Sequence, residues 1–351
     1  EPSEQAWSLH NSRIDGGDSD KLAFSTLNSN GTKLAIGEVD GNNIRIYSDS
    51  GSGWGLEQTI SGFNRCKLNN AGDKILVSNT ETDYTSPPNN ISRGKVQLWN
   101  YSSNTWSKLP TEYSSLWGDG TSLHFGWAMD MSSDRSTVVV SAPGKIDSDG
   151  DNTDAGKVYI YTIVSNAWVQ SQELSAAIDS GSGLALNNNS QFGYSVSISD
   201  DAKVIVVGAP KWQNDTQTYT GYAHQGAIYI FRYDDQNNTG YIYENAITGE
   251  ATNAEDKDSA QRGHSVTISG DGGYMAFSVP FDGKNKVMTW KYGYNSDYNS
   301  YQWNQLSNYQ DATANAPFDQ NQYIILNTAV NGDIFGDSGG GADPNGINNL
   351  G

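Results

Sequence analysis

The sequence predicts an all-β fold, a β-propeller of four-stranded antiparallel blades, and three observations lead to this prediction. One phrase returns along the chain, from Phe125 to Pro143, from Phe192 to Pro210 and from Arg262 to Pro280. Each copy joins a strand of alternating polarity to a continuous apolar run. The whole pattern recurs five times, with two more degenerate copies before these three, and repetition on this scale is typical of propellers and solenoids.

The strands within one repeat differ in character. Val196 and Ile198 alternate with serines, which predicts a first strand with one polar face. The run Val204–Val207 is apolar and β-branched, which favours a second strand buried on both faces. A third strand and a fourth strand, which begins with an aromatic residue, complete each blade. The five blades are predicted near residues 22–60, 63–109, 125–174, 192–247 and 262–306.

The ends of the chain extend this prediction. Residues 1–306 are expected to form the propeller, and Trp7–Asn11 reads as a lone fourth strand before the first blade. We expect this strand to complete the last blade and close the ring, which gives six or more blades. Residues 307–351 are expected to form either an irregular last blade or a link, rich in glycine and asparagine, to further chain.

Composition limits the classes of function. The 351 residues carry a net charge of −19, which argues against binding to nucleic acid or to an anionic membrane. No stretch is apolar enough to insert into a membrane. Cys66 is the only cysteine, and its place in the repeat predicts a small core side chain.

The repeated phrase resembles a known family. Its components are FG-x-S-V at Phe192–Val196, the GAP triplet at Gly208–Pro210, and G-x-I-Y-I-F at Gly226–Phe231. Together with the aromatic-to-leucine fourth strand, they resemble the FG-GAP repeats of integrin α-subunit-type propellers, and most of all the short-turn bacterial and viral variety. The resemblance covers roughly Trp7 to Leu306 and implies an extracellular, cell-surface or virion-surface module.

One departure from that family concerns calcium. Integrin-type repeats carry a DxDxDG calcium loop between the first and second strands, whereas this chain has only a short turn there. The family's calcium site therefore does not carry over to Asp134, Asp201 or Asp271. We expect these three residues to form turns by accepting hydrogen bonds from their own backbone.

A different segment predicts a calcium site. Asp147, Asp149, Asp151 and Asp154 lie within eight residues, between the second and third strands of one blade. Ca²⁺ takes about six to eight oxygen ligands, and closely spaced carboxylates can supply them. We therefore expect these four aspartates to bind Ca²⁺. The alternative is a solvated acidic loop.

The corresponding segment of the next blade predicts a ligand site. It is unusually long and contains Trp212, Tyr219 and Tyr222. Exposed aromatic side chains can stack on sugars or anchor a protein ligand, and both segments are expected on the face where the links between blades lie. The alternative is that these rings cover the edge of the blade. The tryptophans that recur once per blade are expected to pack instead: Trp54, Trp106, Trp168 and Trp303.

An enzymatic function is not expected. A glycoside hydrolase needs two convergent carboxylates, but Asp130 is the single acid at its position among the innermost strands. The aligned residues are Thr26, Lys67, Ser197 and Thr267.

The predicted function is recognition or adhesion, with a protein or carbohydrate bound at the loop-rich face and calcium in support. The alternative is a structural component of a virion, appendage or cell coat, with the propeller as a rigid piece of a larger assembly.

Overall fold

A computed structural model shows the fold of most of the chain. Every regular element that it describes is a β-strand, which confirms the predicted all-β class. The described residues contain no helix that could cross a membrane. The described residues are 14, 22–38, 42–80, 94–109, 115–118, 124–134, 136–144, 156–164, 167–175, 190–213, 225–237, 239–248, 261–280, 286–296 and 298–307.

The strands form five antiparallel sheets, each built in chain order. Blade 1 contains β1 (Leu22–Leu27), β2 (Lys33–Glu38), β3 (Asn43–Asp49) and β4 (Trp54–Ser61). Blade 2 contains β5 (Arg65–Leu68), β6 (Lys74–Asn79), β7 (Lys95–Ser102), β8 (Thr105–Lys108) and β9 (Ser115–Trp117). Blade 3 contains β10 (Met129–Met131), β11 (Thr137–Ala142), β12 (Lys157–Val164) and β13 (Ala167–Leu174). Blade 4 contains β14 (Ser195–Ile198), β15 (Val204–Ala209), β16 (Ala227–Tyr233) and β17 (Tyr241–Thr248). Blade 5 contains β18 (Val266–Ile268), β19 (Tyr274–Val279), β20 (Lys286–Asn295) and β21 (Ser300–Ser307).

The first strands of the blades surround a common axis. β1, β5, β10, β14 and β18 follow one another in contact, and all five line one central cavity. This arrangement is a β-propeller, as the sequence predicts. Trp7–Asn11 and residues 308–351 lie outside the described residues, so the closing strand, the last blade and the domain division stay predictions.

Blade 2 differs from the others in its fourth strand. In blades 1, 3, 4 and 5 that strand carries a β-bulge, for example between the partners of Ile160 and Tyr161. In blade 2 the strand divides at the equivalent point, with β8 and β9 both pairing with β7. A bulge already interrupts the ladder, so an insertion there disturbs few hydrogen bonds.

The hydrophobic core lies between neighbouring blades. Each of four clusters of buried side chains combines residues from two successive blades. Between blades 3 and 4, Val139 and Val158 pack with Phe192 and Val207. Phe192, the phenylalanine of the FG pair, is fully buried and meets the ring of Tyr229 edge-on at 5.3 Å. The apolar runs are therefore buried on both faces because a blade lies on either side.

The FG glycines bring neighbouring blades into backbone contact. Gly193 has a φ of +90°, and its amide donates to the carbonyl of Gly208 at 3.0 Å. A Cβ atom here would lie 2.9 Å from the Cβ of Ser141 in blade 3. A Cβ atom on Gly156 would lie 2.0 Å from the carbonyl oxygen of Phe192. These positions therefore accept only glycine without moving one blade away from the next.

A series of hydrogen bonds and one ion pair, which we call the polar relay, also joins the first strands of successive blades. Asp130 of blade 3 is 4% exposed, and its Oδ1 lies 3.1 Å from the Nζ of Lys67 in blade 2. Its Oδ2 accepts from the hydroxyl of Ser197 and the amide of Ile198 in blade 4, both at 3.0 Å. Ser197 in turn accepts from the amide of Ile268 in blade 5 at 3.3 Å. The side chains therefore satisfy backbone donors that have no partner strand on the axial side.

Near the rim, glutamine side chains connect blades in pairs. The amide of Gln58 in blade 1 bonds to both the backbone oxygen and the backbone nitrogen of Trp106, each at 2.9 Å. Gln172 of blade 3 makes the same two bonds with Tyr241 at 2.7 Å.

The tryptophans that recur once per blade differ in burial. Trp106 and Trp303 are buried as predicted, while Trp54 and Trp168 are half-buried.

The aspartates between the first and second strands form turns, as predicted. Asp134, Asp201 and Asp271 each accept a hydrogen bond from the backbone amide two residues later, at 2.9–3.0 Å. Hydrogen bonds from the Ser269 hydroxyl and the Gly273 amide lower the pKa of Asp271. The oxygens of these three carboxylates therefore accept hydrogen bonds within their own turns.

We expect Gly193→Ala to lower the free energy of unfolding by about 3 kcal/mol, because it combines a strained backbone with a collision between blades. Gly51→Ala is the matched control, since Gly51 also has a positive φ, +83°, but a Cβ there meets nothing within 4 Å. Its cost should be about 1 kcal/mol. Urea unfolding of both variants measures the difference, and equal costs would show that the blade contact is unimportant.

We expect Asp130→Ala to lower the free energy of unfolding by about 3 kcal/mol, because it leaves buried donors in blades 3 and 4 without an acceptor. Asp130→Asn keeps one acceptor oxygen and should cost about 1 kcal/mol. Chemical denaturation monitored by tryptophan fluorescence measures both. A loss within about 0.5 kcal/mol for Asp130→Ala would mean that the relay does not hold the blades.

Candidate functional site

The central cavity is the candidate functional site. It has a volume of about 480 Å³ and is lined by the first strands of all five described blades. The residues that line it include two cations, Arg65 and Lys67, and two carboxylates, Asp130 and Asp200. A space of this size can take a small ligand or one or two side chains of a larger one.

At one end of the cavity, five large side chains of the described blades stack in an arc around the axis, which we call the collar. They stack in the order of the blades. The Cζ of Arg65 lies 3.9 Å from the ring centre of Phe24 and 3.7 Å from that of Trp127. The Trp127 and Tyr194 rings are 5.4 Å apart, and the Tyr194 and His264 rings are 4.7 Å apart. The collar is Phe24, Arg65, Trp127, Tyr194 and His264, one residue from each blade.

The collar combines a fixed cation with uncharged rings. Arg65 is 9% exposed, and its Nη1 donates to the backbone oxygen of Trp127 at 3.0 Å, so the guanidinium is held between two ring faces. Burial lowers the pKa of His264, so its imidazole is neutral at pH 7. Burial also raises the pKa of Tyr194, although the nearby Arg65 opposes the shift, so its phenol stays protonated. Such a ring can stack on flat or apolar groups and donate hydrogen bonds to acceptors.

The opposite end of the cavity is crossed by hydrogen bonds. The side chain of Asn70 in blade 2 donates to Asp200 in blade 4 at 2.7 Å, which spans the axis. The amide of Ser133 in blade 3 donates to the carbonyl of Asp200 at 3.0 Å, and the amide of Asp200 donates to Gly270 in blade 5 at 2.9 Å. The turns therefore tie this end together, and the collar marks the other end.

The two sites predicted from sequence belong to segments that join strands on the collar face. β11 ends at Ala142 and β12 begins at Lys157, both at that face. Residues 145–155 and 214–224 lie outside the described residues, so the structure does not place the carboxylates predicted to bind calcium. The residues concerned are Asp147, Asp149, Asp151 and Asp154, together with Tyr219 and Tyr222 of the predicted ligand site. In the described ranges, no group of three or more His, Cys, Asp or Glu side chains could hold a metal ion.

The predicted ligand role of Trp212 is wrong. Its side chain is 1% exposed and packs in the core cluster between blades 3 and 4. The reason is a turn, because the amide of Trp212 donates to the carbonyl of Ala209 at 3.1 Å and its carbonyl accepts from Gly226 at 3.0 Å. These bonds hold the start of the segment against the blade, so the ring lies inside the protein.

Cys66 also lines the cavity. It is half-buried against the cluster between blades 1 and 2, in agreement with the predicted core position. Burial raises the pKa of its thiol to about 12. The thiol is therefore protonated at neutral pH and is a poor nucleophile.

The sequence analysis missed the collar, although the repeat contains a signal for it. Collar residues occupy the third position of the phrase, directly after Gly126, Gly193 and Gly263. In these three copies the position before it is glycine and the position after it is alanine or serine, whereas this one is bulky and chemically different each time. A comparison of variable positions across the repeats would have found it.

Comparison with known proteins identifies one repeat. Residues 185–231 match the family model described as FG-GAP repeat, and this range contains β14, β15 and most of β16. No curated protein matches the chain. The solved structures that resemble it do so weakly, and they carry no argument about function.

Three of these structures illustrate the likeness. A functionally unknown protein from Desulfotomaculum acetoxidans has 10% identity and a TM-score of 0.48, with 83% of this chain and 70% of that chain covered. Hydrazine synthase from Kuenenia stuttgartiensis has 13% identity and a TM-score of 0.49, with 76% and 64% covered. A protein from Lactobacillus plantarum has 12% identity and a TM-score of 0.47, with 82% and 71% covered.

The family match and the strand pattern agree. The matched residues include the FG pair at Phe192 and Gly193, the GAP triplet at Gly208–Pro210, and the third strand of blade 4. The FG pair makes the contacts between blades described above, and a Cβ atom on Gly208 would lie 1.9 Å from the carbonyl oxygen of Gly263 in blade 5. The chain is therefore a β-propeller that carries an FG-GAP repeat.

Proposed function

We propose that this chain is a non-enzymatic recognition module of the extracellular type, which binds a protein or glycan ligand at the collar face. The observation that carries the proposal is the collar, in which one large side chain from each described blade meets its neighbours around the axis. Aromatic and arginine side chains supply most of the energy at protein interfaces, and aromatic rings stack on apolar ligand surfaces.

The repeat itself supports a binding role for the collar. A position that served only to pack one blade on the next would be expected to keep one type of residue, as the preceding position does in Gly126, Gly193 and Gly263. Here Phe24, Arg65, Trp127, Tyr194 and His264 make each sector of the ring different. An asymmetric ring can bind one ligand in one orientation, which a symmetric ring cannot do.

The described part of the axis also favours binding over catalysis. Asp130 already accepts hydrogen bonds from Ser197 and Ile198 and pairs with Lys67. A carboxylate engaged in this way is a poor general acid or base, because a proton transfer would break the links between blades.

We expect Trp127→Ala and His264→Ala to weaken ligand binding by roughly tenfold or more, because each removes a stacking surface of the collar. Binding is measured on a glycan array and on intact cells. Leu56→Ala is the control, since this leucine is 57% exposed on the outer strand β4 of blade 1 and belongs to neither the collar nor the axis. Unchanged binding by both collar variants, with the fold intact by circular dichroism, would contradict the proposal.

We also propose that Ca²⁺ supports this face by binding Asp147, Asp149, Asp151 and Asp154. The expected result is a thermal midpoint that rises in millimolar calcium and returns when EGTA is added. Binding to the folded state alone stabilises it by about 2.7 kcal/mol when the free metal is a hundred times the Kd. Asp149→Ala should reduce the response, and the neighbouring Asn152→Ala is the control. An identical midpoint with calcium and with EGTA would contradict a calcium site.

A further inference from the structure

The hairpin between β20 and β21 in blade 5 is longer than its counterparts. In blade 2 the aromatic pair Tyr101–Trp106 is followed by one more residue pair before the turn. The equivalent pair in blade 5 is Tyr292–Trp303, and three further pairs follow it, ending at Asn295 and Ser300. Blade 4 ends at the corresponding pair, Tyr233 and Tyr241. The extra length, residues 293–302, is not needed to build a blade, and we call it the extension.

The extension presents three exposed aromatic rings, which we call the tyrosine patch. Tyr294, Tyr298 and Tyr301 are 56%, 72% and 68% exposed. The Tyr294 and Tyr301 rings meet at 5.7 Å, and Tyr301 lies 6.1 Å from Tyr292 in the layer below. Exposed aromatic rings are costly to hold in water, so three of them on one hairpin suggest a binding surface.

Among the described residues, packing between blades 4 and 5 does not account for the patch. The core between blades 4 and 5 is completed by Trp303, which is 4% exposed, with Tyr292 packed against it. The rings of the patch lie beyond this layer. Other hairpins end in small or polar residues, such as Ser50 and Ser52 in blade 1 or Ser103 and Asn104 in blade 2.

The patch itself has polar, uncharged neighbours, while an ion pair, Arg232–Glu244, lies in the layer below, with Arg232 4.3 Å from the Tyr292 ring. The side-chain amide of Asn295 donates to Asn304 at 2.7 Å, and that of Gln302 reaches the same oxygen at 3.4 Å. The described residues of the extension carry no charged side chain, and Asp297 lies outside them. Flat rings beside amide groups are the chemistry that recognises sugars, because the rings stack on the apolar face of a pyranose and the amides bind its hydroxyls.

We propose that the tyrosine patch is a second binding site, which takes a neutral carbohydrate chain. The described residues of the extension carry no positive charge that would attract an anion, and the acidic Asp297 next to Tyr298 in the sequence, together with the net charge of −19, favours a neutral polysaccharide over an anionic one. The patch lies on the outer strands of blade 5, whereas the collar surrounds the axis, so this site is independent of the collar.

The test is affinity electrophoresis of the full chain through gels that contain mannan, xyloglucan, dextran or mixed-linkage β-glucan. The double variant Tyr298→Ala/Tyr301→Ala should lose retardation, because its apparent affinity should fall by roughly tenfold or more. The double variant Tyr298→Phe/Tyr301→Phe keeps both rings and should retain most of the affinity. Leu56→Ala is the control for an exposed apolar residue, since Leu56 is 57% exposed on β4 of blade 1.

Each remaining outcome has a defined meaning. The proposal is overturned if wild type is retarded by none of the four polysaccharides, or if the alanine double variant is retarded as strongly as wild type. It is also overturned if that variant unfolds at a clearly lower temperature, because the rings would then be structural. Trp127→Ala separates the two sites, since a loss of retardation in this variant alone assigns the sugar to the collar.

Discussion

The close approach of backbone to backbone between successive blades is the constraint on which the rest of the structure depends. Gly193 and Gly156 permit it, because any side chain at either position would collide with the neighbouring blade. The approach brings the phenylalanine of the FG pair into the cluster beside it and places the first strands close enough for Asp130 to reach Ser197. The repeated phrase therefore marks, along the sequence, the residues that make this contact.

This constraint also separates the positions that must be kept from those that are free to vary. Glycine and the buried phenylalanine serve the close approach of the backbones, while the residue that follows the glycine lies at the axis and meets the neighbouring blades through its side chain. Collar residues occur at this free position, and the tyrosine patch lies beyond the last pair that a blade requires. In both places the fold positions a side chain but does not require one residue type. A binding function can therefore arise at these positions.

The sequence predicts the parts of the structure that follow from local pattern. Alternation and apolar runs locate the strands, and the spacing of Asp134 and its counterparts identifies the turns. It does not predict β9, because an insertion at a bulge separates this strand from its own repeat. The sequence analysis predicted an exposed Trp212, whereas the ring is buried, because the order of residues does not show how closely a segment folds back on its blade. The collar was missed because its residues lie in different repeats, about 60 positions apart, so only a comparison of the same position across the repeats reveals them.

The glutamine connections near the rim show that contacts between blades have a direction. Gln58 and Gln172 each bind the backbone of the following blade. The earlier blade of each pair therefore supplies the glutamine side chain, and the later blade supplies the backbone groups. Units joined head to tail in this way can form a ring of any size, and closure depends only on the rotation between units. The number of blades is therefore set by the angle that the residues at each contact impose between successive blades.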